Sequence, residues 1–141
     1  MDRLVRNDRI AFGASMLACK DADAMVTGNI RHYAASVEKL KHVCSARKGE
    51  PIFGLTMIVF KGRTVLVADT NVQDFPSSER LVEVAKSCVR VSRLFGFDPK
   101  VAFLSHSTFG KPISRNTKHV REAIEILKRK DVDFDFDGEM Q

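Results

Sequence analysis

Residues 52 to 72 read IFGLTMIVFKGRTVLVADTNV and contain two strand patterns in succession. Apolar runs at 52–60 and 64–70 flank a three-residue connection, 61–63, that contains Gly62. Two apolar runs joined by such a short connection with glycine predict a β-hairpin. Because a parallel return needs a crossover of about a dozen residues or more, we expect the two strands to run antiparallel.

Outside this hairpin, helical and strand patterns alternate along the chain. Apolar residues at helical spacing predict helices, and short apolar runs between them predict buried strands. The predicted helices cover residues 8–19, 30–44, 77–95 and 114–127, and the predicted strands cover 24–28, 100–107 and 132–136. The alternation indicates an α/β fold, namely a three-layer α/β/α sandwich with a mainly parallel sheet and one antiparallel hairpin.

The helix predicted at 77–95 has the clearest ends. Ser77 is a favourable N-cap residue, and Gly96 stands where a glycine commonly follows a helix. Its predicted apolar face consists of Leu81, Val84, Ala85, Cys88, Val91 and Phe95. In the last helix, the predicted apolar face consists of Val120, Ala123, Ile124 and Leu127.

Length and composition indicate one ordinary domain. The chain has 141 residues, which is long enough to bury a core. It contains no run of about 18 apolar residues and no secretory signal, so we expect a cytoplasmic protein. The three cysteines, Cys19, Cys44 and Cys88, form no CxxC pair. We interpret them as core thiols rather than as disulfide or zinc ligands.

The formal net charge of +5 favours an anionic partner. The basic residues are scattered over every segment and mixed with acids, and no basic cluster is interleaved with aromatic residues. Base stacking on single-stranded nucleic acid needs such a cluster. A small phosphorylated ligand therefore fits the charge distribution better than nucleic acid does.

Three polar segments follow predicted strands. In open α/β sheets, ligands bind beyond the carboxyl ends of the strands, where helix N-termini offer free N–H groups to anions. Hydroxyl, amide and glycine N–H groups can surround a phosphate or a carbonyl group there. Turn formation and helix capping are the structural alternative for the same residues. The candidate ligand residues are Thr27, Gly28, Asn29, Arg31, Asp69, Thr70, Asn71, Ser105, Ser107, Thr108, Gly110 and Lys111.

Other chemistries find little support in the sequence. No GxGxxG or GxxxxGK[ST] fingerprint is present, and Ser105 and Ser107 lack the GxSxG setting of a hydrolase. No nucleophile is paired in sequence with His32 or His106. The acids of residues 131–139 alternate with apolar residues, as on a half-exposed strand, and lack Ca²⁺-loop spacing. No metal site is predicted.

Four segments of the sequence resemble the phosphate acetyltransferase family. They are DADAMVTGNIRHY, GRTVLVADTNVQDFPSSERLVEVA, FGFDPKVAFLSHSTFG, and VREAIEIL followed by VDFDFDGEMQ. The family shares the order ADG.VSG, ADC.VNP, PRVA.LS.ST and DGE.Q, so the similarity covers almost the whole chain from Asp8 onward. The variants MVTG, GRTVLVADT, LSHSTFG and VDFDFDGEM are closer to the acetyltransferase-like C-terminal domain of bacterial NADP-dependent malic enzymes.

The resemblance implies two α/β subdomains with a CoA cleft between them. Residues 1–141 would form part of such a domain, mainly its middle subdomain, as a fragment of a longer chain. Much of the family's catalytic set follows the DGE.Q segment. Within this chain, Thr70 stands at the cysteine of ADC, and Glu38 stands at the arginine of the family's LRP segment. A carboxylate repels the phosphate that an arginine attracts, so no catalytic residue is assigned.

The malic enzymes resembled here convert malate to pyruvate and CO₂ with NADP and a divalent metal, Mg or Mn, in a region outside this chain. The resemblance implies a non-catalytic regulatory and oligomerisation domain that senses acetyl-CoA or a related acyl-CoA within a homo-oligomer. It implies no cofactor in this fragment and neither nucleic acid nor membrane as a partner. An active piece of a phosphate acetyltransferase is the alternative. A DNA-binding domain ranks below both, because helix 77–95 carries an apolar face rather than clustered polar recognition residues.

Overall fold

The computed structural model of the protein describes residues 2–28, 30–46, 50–70, 72, 76–105 and 115–140. The chain divides into two compact units, Met1–Gly49 and Glu50–Gln141. In chain order, the elements are α1 (Asp2–Asn7), α2 (Arg9–Cys19), α3 (Tyr33–Val43), β1 (Leu55–Phe60), β2 (Arg63–Ala68), α4 (Ser78–Leu94), β3 (Val101–Leu104), α5 (Arg115–Arg129) and β4 (Phe136–Met140).

The N-terminal unit contains α1, α2 and α3, and α2 packs against both of the others. Asp8 starts α2, because its Oδ1 accepts hydrogen bonds from the backbone N–H groups of Ile10 and Ala11 at 2.9 and 3.2 Å. One face of α2 is buried through Ile10, Ala11 and Ala14. The helix predicted at 8–19 is therefore confirmed. Helix α3 begins at Tyr33, which is later than predicted.

The strand predicted at residues 24–28 is wrong. These residues pair with no described strand, and the Val26 side chain is fully exposed. An apolar run becomes a strand only where a neighbouring strand takes up its backbone N–H and C=O groups, and the elements described in this unit are all helices. Met25 instead lies against α2, where any side chain at Gly13 would collide with the Met25 sulfur.

The antiparallel hairpin of the C-terminal unit is confirmed. Strands β1 and β2 pair with Leu55 opposite Ala68 and Phe60 opposite Arg63. The turn between them contains two residues, Lys61 and Gly62, both with positive φ values, 46° and 75°. Positive φ at both central residues is the geometry of a type I′ turn, whose twist matches that of the flanking strands.

Helix α4 has the predicted ends. The Ser77 hydroxyl accepts a hydrogen bond from the Arg80 N–H at 3.2 Å, and Gly96 has a φ of 78°. The predicted face is confirmed at Val84 and Ala85, which are buried, but the buried surface is wider, because it also includes Val82 and Val89 and two buried serines, Ser78 and Ser92. Polar serines do not contribute to an apolar pattern. Phe95, predicted on the buried face, is exposed.

Strand β3, helix α5 and strand β4 form a parallel β–α–β unit, which confirms the α/β class. Val101 lies opposite Phe136 and Phe103 opposite Gly138, after which the register shifts so that Leu104 lies opposite Met140. Strand β4 shares only Phe136 with the strand predicted at 132–136. The DGE segment, rather than the preceding VDFDF, therefore forms most of this strand.

The core of this unit lies between α4, α5 and the β3–β4 pair. It consists of Val82, Ala85, Phe103, Val120, Ala123, Ile124 and Leu127, so the predicted apolar face of α5 is confirmed. Gly138 allows β4 to approach closely, because a Cβ at this position would lie 2.7 Å from the Cβ of Phe103. Any larger residue there would push β4 away from β3.

The prediction that all three cysteines are core thiols is wrong for Cys19, which is exposed. Cys19 ends α2, away from the face formed by Ile10 and Ala14. Cys44 and Cys88 are half-buried. Among the described helices, none has the length and apolar character needed to cross a bilayer.

Truncation of the central core residue tests this packing. Leu127 is 0% exposed, so we expect Leu127→Ala to lower the free energy of unfolding by about 2–5 kcal/mol, because it removes buried methyl groups and leaves a cavity. Lys128→Ala is the matched control, since within the described part of the chain Lys128 makes only a surface ion pair with Glu125, and it should change stability by about 0.5 kcal/mol or less. Urea denaturation measures the free energy of unfolding of both variants. Equal losses of stability would contradict the central position of Leu127 in the core.

Candidate functional site

Asp69 and Thr70, which follow β2, are hydrogen-bonded to Gly54, which precedes β1. The Asp69 carboxylate accepts a hydrogen bond from the Gly54 N–H through Oδ1 at 2.7 Å, and the Thr70 N–H donates to the Gly54 carbonyl at 3.2 Å. Thr56 donates from its hydroxyl to the Thr70 hydroxyl at 3.2 Å. A Cβ on Gly54 would lie 2.7 Å from Thr70 Oγ1, so glycine is required at this close approach.

One oxygen of this arrangement has no hydrogen-bond partner. Asp69 Oδ2 is buried without one in the described part of the chain. The neighbouring Cys88 thiol is partly buried, and desolvation, followed by the Asp69 charge, raises the pKa of Cys88 to about 11. Cys88 therefore remains a protonated thiol near neutral pH and is a poor nucleophile there.

The end of β3 is held by a buried acid from β4. Ser105, directly after β3, donates from its hydroxyl to Glu139 Oε1 at 3.0 Å, and its N–H donates to the Met140 carbonyl at 2.8 Å. Glu139 is only 1% exposed. Arg121 of α5 places Nε 3.8 Å from Glu139 Oε2 and supplies a positive charge to this buried carboxylate. The expectation that the acids of 131–139 lie on a half-exposed face is wrong at Glu139.

The start of α4 is hydrogen-bonded to Glu122, the residue that follows Arg121 on α5. Ser78 donates from its hydroxyl to Glu122 Oε2 at 2.7 Å. This hydrogen bond is the main cause that lowers the pKa of Glu122, with a smaller contribution from Lys118. Ser78 and Glu122 line an open groove of about 410 Å³ between α4 and α5, together with Arg121. Adjacent residues of α5 thus contact two different elements.

The segment after residue 26 belongs to the N-terminal unit. Thr27 is exposed, and Gly28 has a φ of 133°, a conformation that favours glycine. The Arg31 guanidinium lies 2.6 Å from Asp8 Oδ2, which also accepts a hydrogen bond from Lys39. The predicted ligand charge of Arg31 is therefore shared with a buried acid, while 44% of the Arg31 side chain remains exposed.

The structure describes half of the predicted ligand residues. Asp69 and Thr70 lie side by side at the Gly54 contact, and Ser105 lies at the Glu139 contact. Thr27, Gly28 and Arg31 belong to the other unit. Six predicted residues lie outside the described residues: Asn29, Asn71, Ser107, Thr108, Gly110 and Lys111. Their role stays a prediction.

Sequence reasoning missed the residues that hold these segments in place, namely Asp8, Lys39, Gly54, Arg121 and Glu139. Asp8 was visible as the residue before a helical pattern, which is the place of an N-cap. Glu139 gave no such signal, because a buried acid and an exposed acid look alike in an alternating strand pattern. Among the described residues, no group of three or more His, Cys, Asp or Glu could hold a metal ion.

Comparisons with known proteins find similarity to one protein family. Residues 1–141 match the family described as Phosphate acetyl/butaryl transferase. The NADP-dependent malic enzyme of Rhizobium meliloti (strain 1021) is 44% identical over 140 residues, which are 99% of this chain and 18% of that enzyme. The phosphate acetyltransferase of Nitratidesulfovibrio vulgaris is 31% identical over 140 residues, 99% of this chain and 20% of that enzyme.

A solved structure gives the same result. A phosphotransacetylase from Streptococcus pyogenes superposes with a TM-score of 0.79 at 29% identity, over 93% of this chain and 41% of that one. The chain therefore spans less than half of this structure and less than a fifth of the malic enzyme relative.

The Asp8 cluster makes a prediction about pH. The Lys39 ammonium, with the helix N–H groups and Arg31, holds the pKa of Asp8 well below its usual range. A carboxyl group with a lowered folded-state pKa stabilises the fold at pH values above its unfolded pKa of about 4, and this contribution is lost as the pH falls further. We expect Asp8→Asn, which keeps a capping oxygen but removes the charge, to lower the unfolding midpoint at neutral pH.

The difference in unfolding midpoint between the wild type and Asp8→Asn should shrink as the pH falls below about 4. Urea denaturation at neutral pH and at about pH 3 measures it. Asp23→Asn is the control, because Asp23 is an exposed acid of the same unit. A difference that stays constant across this range would assign the effect to the cap rather than to the ion pairs.

Proposed function

The chain belongs to the phosphate acetyl/butaryl transferase family, and we propose that it is the non-catalytic, regulatory domain of an NADP-dependent malic enzyme. The observation that carries the proposal is the 44% identity to the Rhizobium meliloti NADP-dependent malic enzyme over 99% of this chain. In this proposal, the domain senses acetyl-CoA or a related acyl-CoA and helps to assemble a homo-oligomer.

Two departures from the family pattern support a non-catalytic role. At the cysteine position of ADC, Thr70 supplies a hydroxyl that is already hydrogen-bonded to Thr56, next to the close contact with Gly54. At the arginine position of LRP, Glu38 is exposed and negatively charged. A transferase that has lost a preorganised charge loses a factor of about 10²–10³ in rate for each such interaction. Both changes favour a site that binds without reacting.

The proposed effector site consists of the predicted ligand residues that follow the ends of strands or open helices. Arg31 and Lys111 supply positive charge, while the hydroxyl and N–H groups among the remaining residues donate hydrogen bonds to phosphate and carbonyl oxygens. The partial exposure of Arg31 supports this proposal, because its guanidinium can face a ligand phosphate while one N–H remains on Asp8.

The malate chemistry is proposed for the rest of the parent chain. Conversion of malate to pyruvate and CO₂ would use NADP and a divalent metal, Mg or Mn, held by residues outside these 141. In the proposal, this domain changes the activity of that region through effector binding, in a cytoplasmic enzyme. The coupling between effector binding and malate turnover is then a property of the full-length protein.

Exposed apolar residues support the assembly role. On the hairpin, Val59 and Phe60 are 68% and 65% exposed, and Ile58 and Val65 are about half exposed. Apolar surface that is this concentrated commonly marks contact with another protein surface. In the proposal, that surface belongs to a second copy of the parent enzyme.

The effector role predicts an effect on inhibition of the parent enzyme. Arg31→Ala or Lys111→Ala should weaken acetyl-CoA binding by about 1 kcal/mol or more, because each removes a charge-assisted hydrogen bond. Malate turnover without effector should not change. The control is Lys100→Ala, since Lys100 is 81% exposed and pairs only with Asp135 among the described residues. Inhibition curves of both variants that overlay the wild type would reject this placement of the effector.

The alternative is a functioning piece of a phosphate acetyltransferase, supported by the 31% identity to the Nitratidesulfovibrio vulgaris enzyme. The two proposals differ in one assay, which is the formation of acetyl phosphate from acetyl-CoA and phosphate. We expect the rate to stay at background for the parent enzyme. A measurable rate that Thr70→Ala abolishes would replace the regulatory proposal by the transferase.

A further inference from the structure

Two cations from different parts of the N-terminal unit meet at one carboxylate oxygen. Arg31, which precedes α3, and Lys39, which lies within α3, both donate to Oδ2 of Asp8, and Arg31 does so at 2.6 Å. Because a hydrogen bond spans about 3 Å, the two donor nitrogens lie within about 6 Å of each other. The Asp8 side chain is only 8% exposed. A nearly buried acid therefore holds the two cations as a pair.

The charges of this cluster do not balance. The pKa of Asp8 is held well below its usual range, first by the Lys39 hydrogen bond, so the carboxylate is ionised near neutral pH. Two cations and one anion leave one positive charge in excess, and Asp8 is the one acid that either cation contacts in the described part of the chain. Because two neighbouring cations repel each other, a second anion beside them is favourable.

Both cations also keep donors for a ligand. A guanidinium group carries five N–H donors and an ammonium group carries three, and each cation gives one hydrogen bond to Asp8. The side chains of Arg31 and Lys39 are 44% and 35% exposed, so a ligand can reach them from solvent. A phosphate group has three strong acceptor oxygens. It can therefore accept hydrogen bonds from both cations at once.

The place of Lys39 in the sequence bears on the charge reversal at Glu38. Glu38 stands at the arginine of the family's LRP segment, and Lys39 is the next residue. Consecutive residues of a helix point about 100° apart. Lys39 accordingly contacts Asp8, whereas Glu38 is exposed. Helix α3 thus carries a cation directly beside the position where the family's cation has been lost.

We infer that Arg31 and Lys39 together bind a phosphate group, and that Asp8 is an internal anion that holds the two cations in place and limits their affinity for it. The inference rests on the proposed function for the source of that phosphate, an acyl-CoA effector. Lys39 is then a ligand residue of the effector site. The Asp8 carboxylate repels the incoming phosphate, so the contact that positions the cations also weakens binding.

The test measures binding of acetyl-CoA and of inorganic pyrophosphate to the parent enzyme by calorimetry. Lys39→Gln should raise the Kd of both probes by at least about fivefold, because it removes a charge-assisted hydrogen bond. Lys39→Arg keeps the charge and should restore most of the affinity. The matched control is Lys41→Gln, because Lys41 is an exposed cation of the same helix, about 200° around the axis from Lys39. The control should bind as the wild type does.

Asp8→Asn separates an anion site from a purely structural cluster. The amide keeps a capping oxygen but removes the charge that competes with phosphate, so we expect this variant to bind pyrophosphate at least about threefold more tightly than the wild type. Because the variant is less stable, binding is measured below its unfolding midpoint. The rise in midpoint on adding pyrophosphate is a second readout of the same affinity. A cluster that only supports the fold would give no gain in either measurement.

The outcomes separate this inference from the proposed function. If acetyl-CoA does not bind but pyrophosphate binds with the expected dependence on Lys39 and Asp8, the proposed effector is rejected and the phosphate site stands. If acetyl-CoA inhibits while Lys39→Gln binds both probes as the wild type does, the phosphate site is overturned and the proposed function stands. A wild type without saturable pyrophosphate binding, or an Asp8→Asn variant with unchanged affinity, would also overturn the site.

Discussion

The buried carboxylate of Glu139 ties β4 to the end of β3 and to α5. A charge with 1% exposure must be hydrogen-bonded and paired. Ser105 and Arg121 are among the groups that meet that need, and their contacts tie the end of β3 and α5 to the same carboxylate. The close approach permitted by Gly138 completes the arrangement, because Glu139 can face Ser105 only when β4 lies directly beside β3. The parallel pair and the polar contacts at its end therefore depend on each other.

The sequence predicted the elements whose signals are local. The hairpin was predictable because Gly62 accepts the positive φ of its turn, and α4 was predictable because Ser77 caps its first turn. Residues 24–28 were mispredicted, since a strand depends on a partner that the local pattern does not contain. The buried surface of α4 is wider than predicted for a related reason. Buried serines support packing as small residues but do not count in an apolar pattern.

Prediction of the candidate site was limited for the same reason. Residue type alone identified Arg31, Asp69 and Ser105 as candidate ligand residues, but their partners come from distant positions. Asp8 lies 23 residues before Arg31, and Glu139 lies 34 residues after Ser105. Such pairings follow from the fold and not from spacing in the sequence. The alternation of helical and strand patterns, like the family resemblance, predicted the α/β class correctly. The contacts that bear on reactivity, such as Gly54 against Thr70, required the structure.

The exposed hairpin has a consequence for aggregation of the chain. Strand β1, LTMIVF, contains no charge, no proline and no glycine, and five of its six residues are exposed. A segment of this composition can add to identical segments in other chains and start cross-β aggregation. Lys61, in the turn, and Arg63, at the start of β2, are the nearest charges that oppose such stacking.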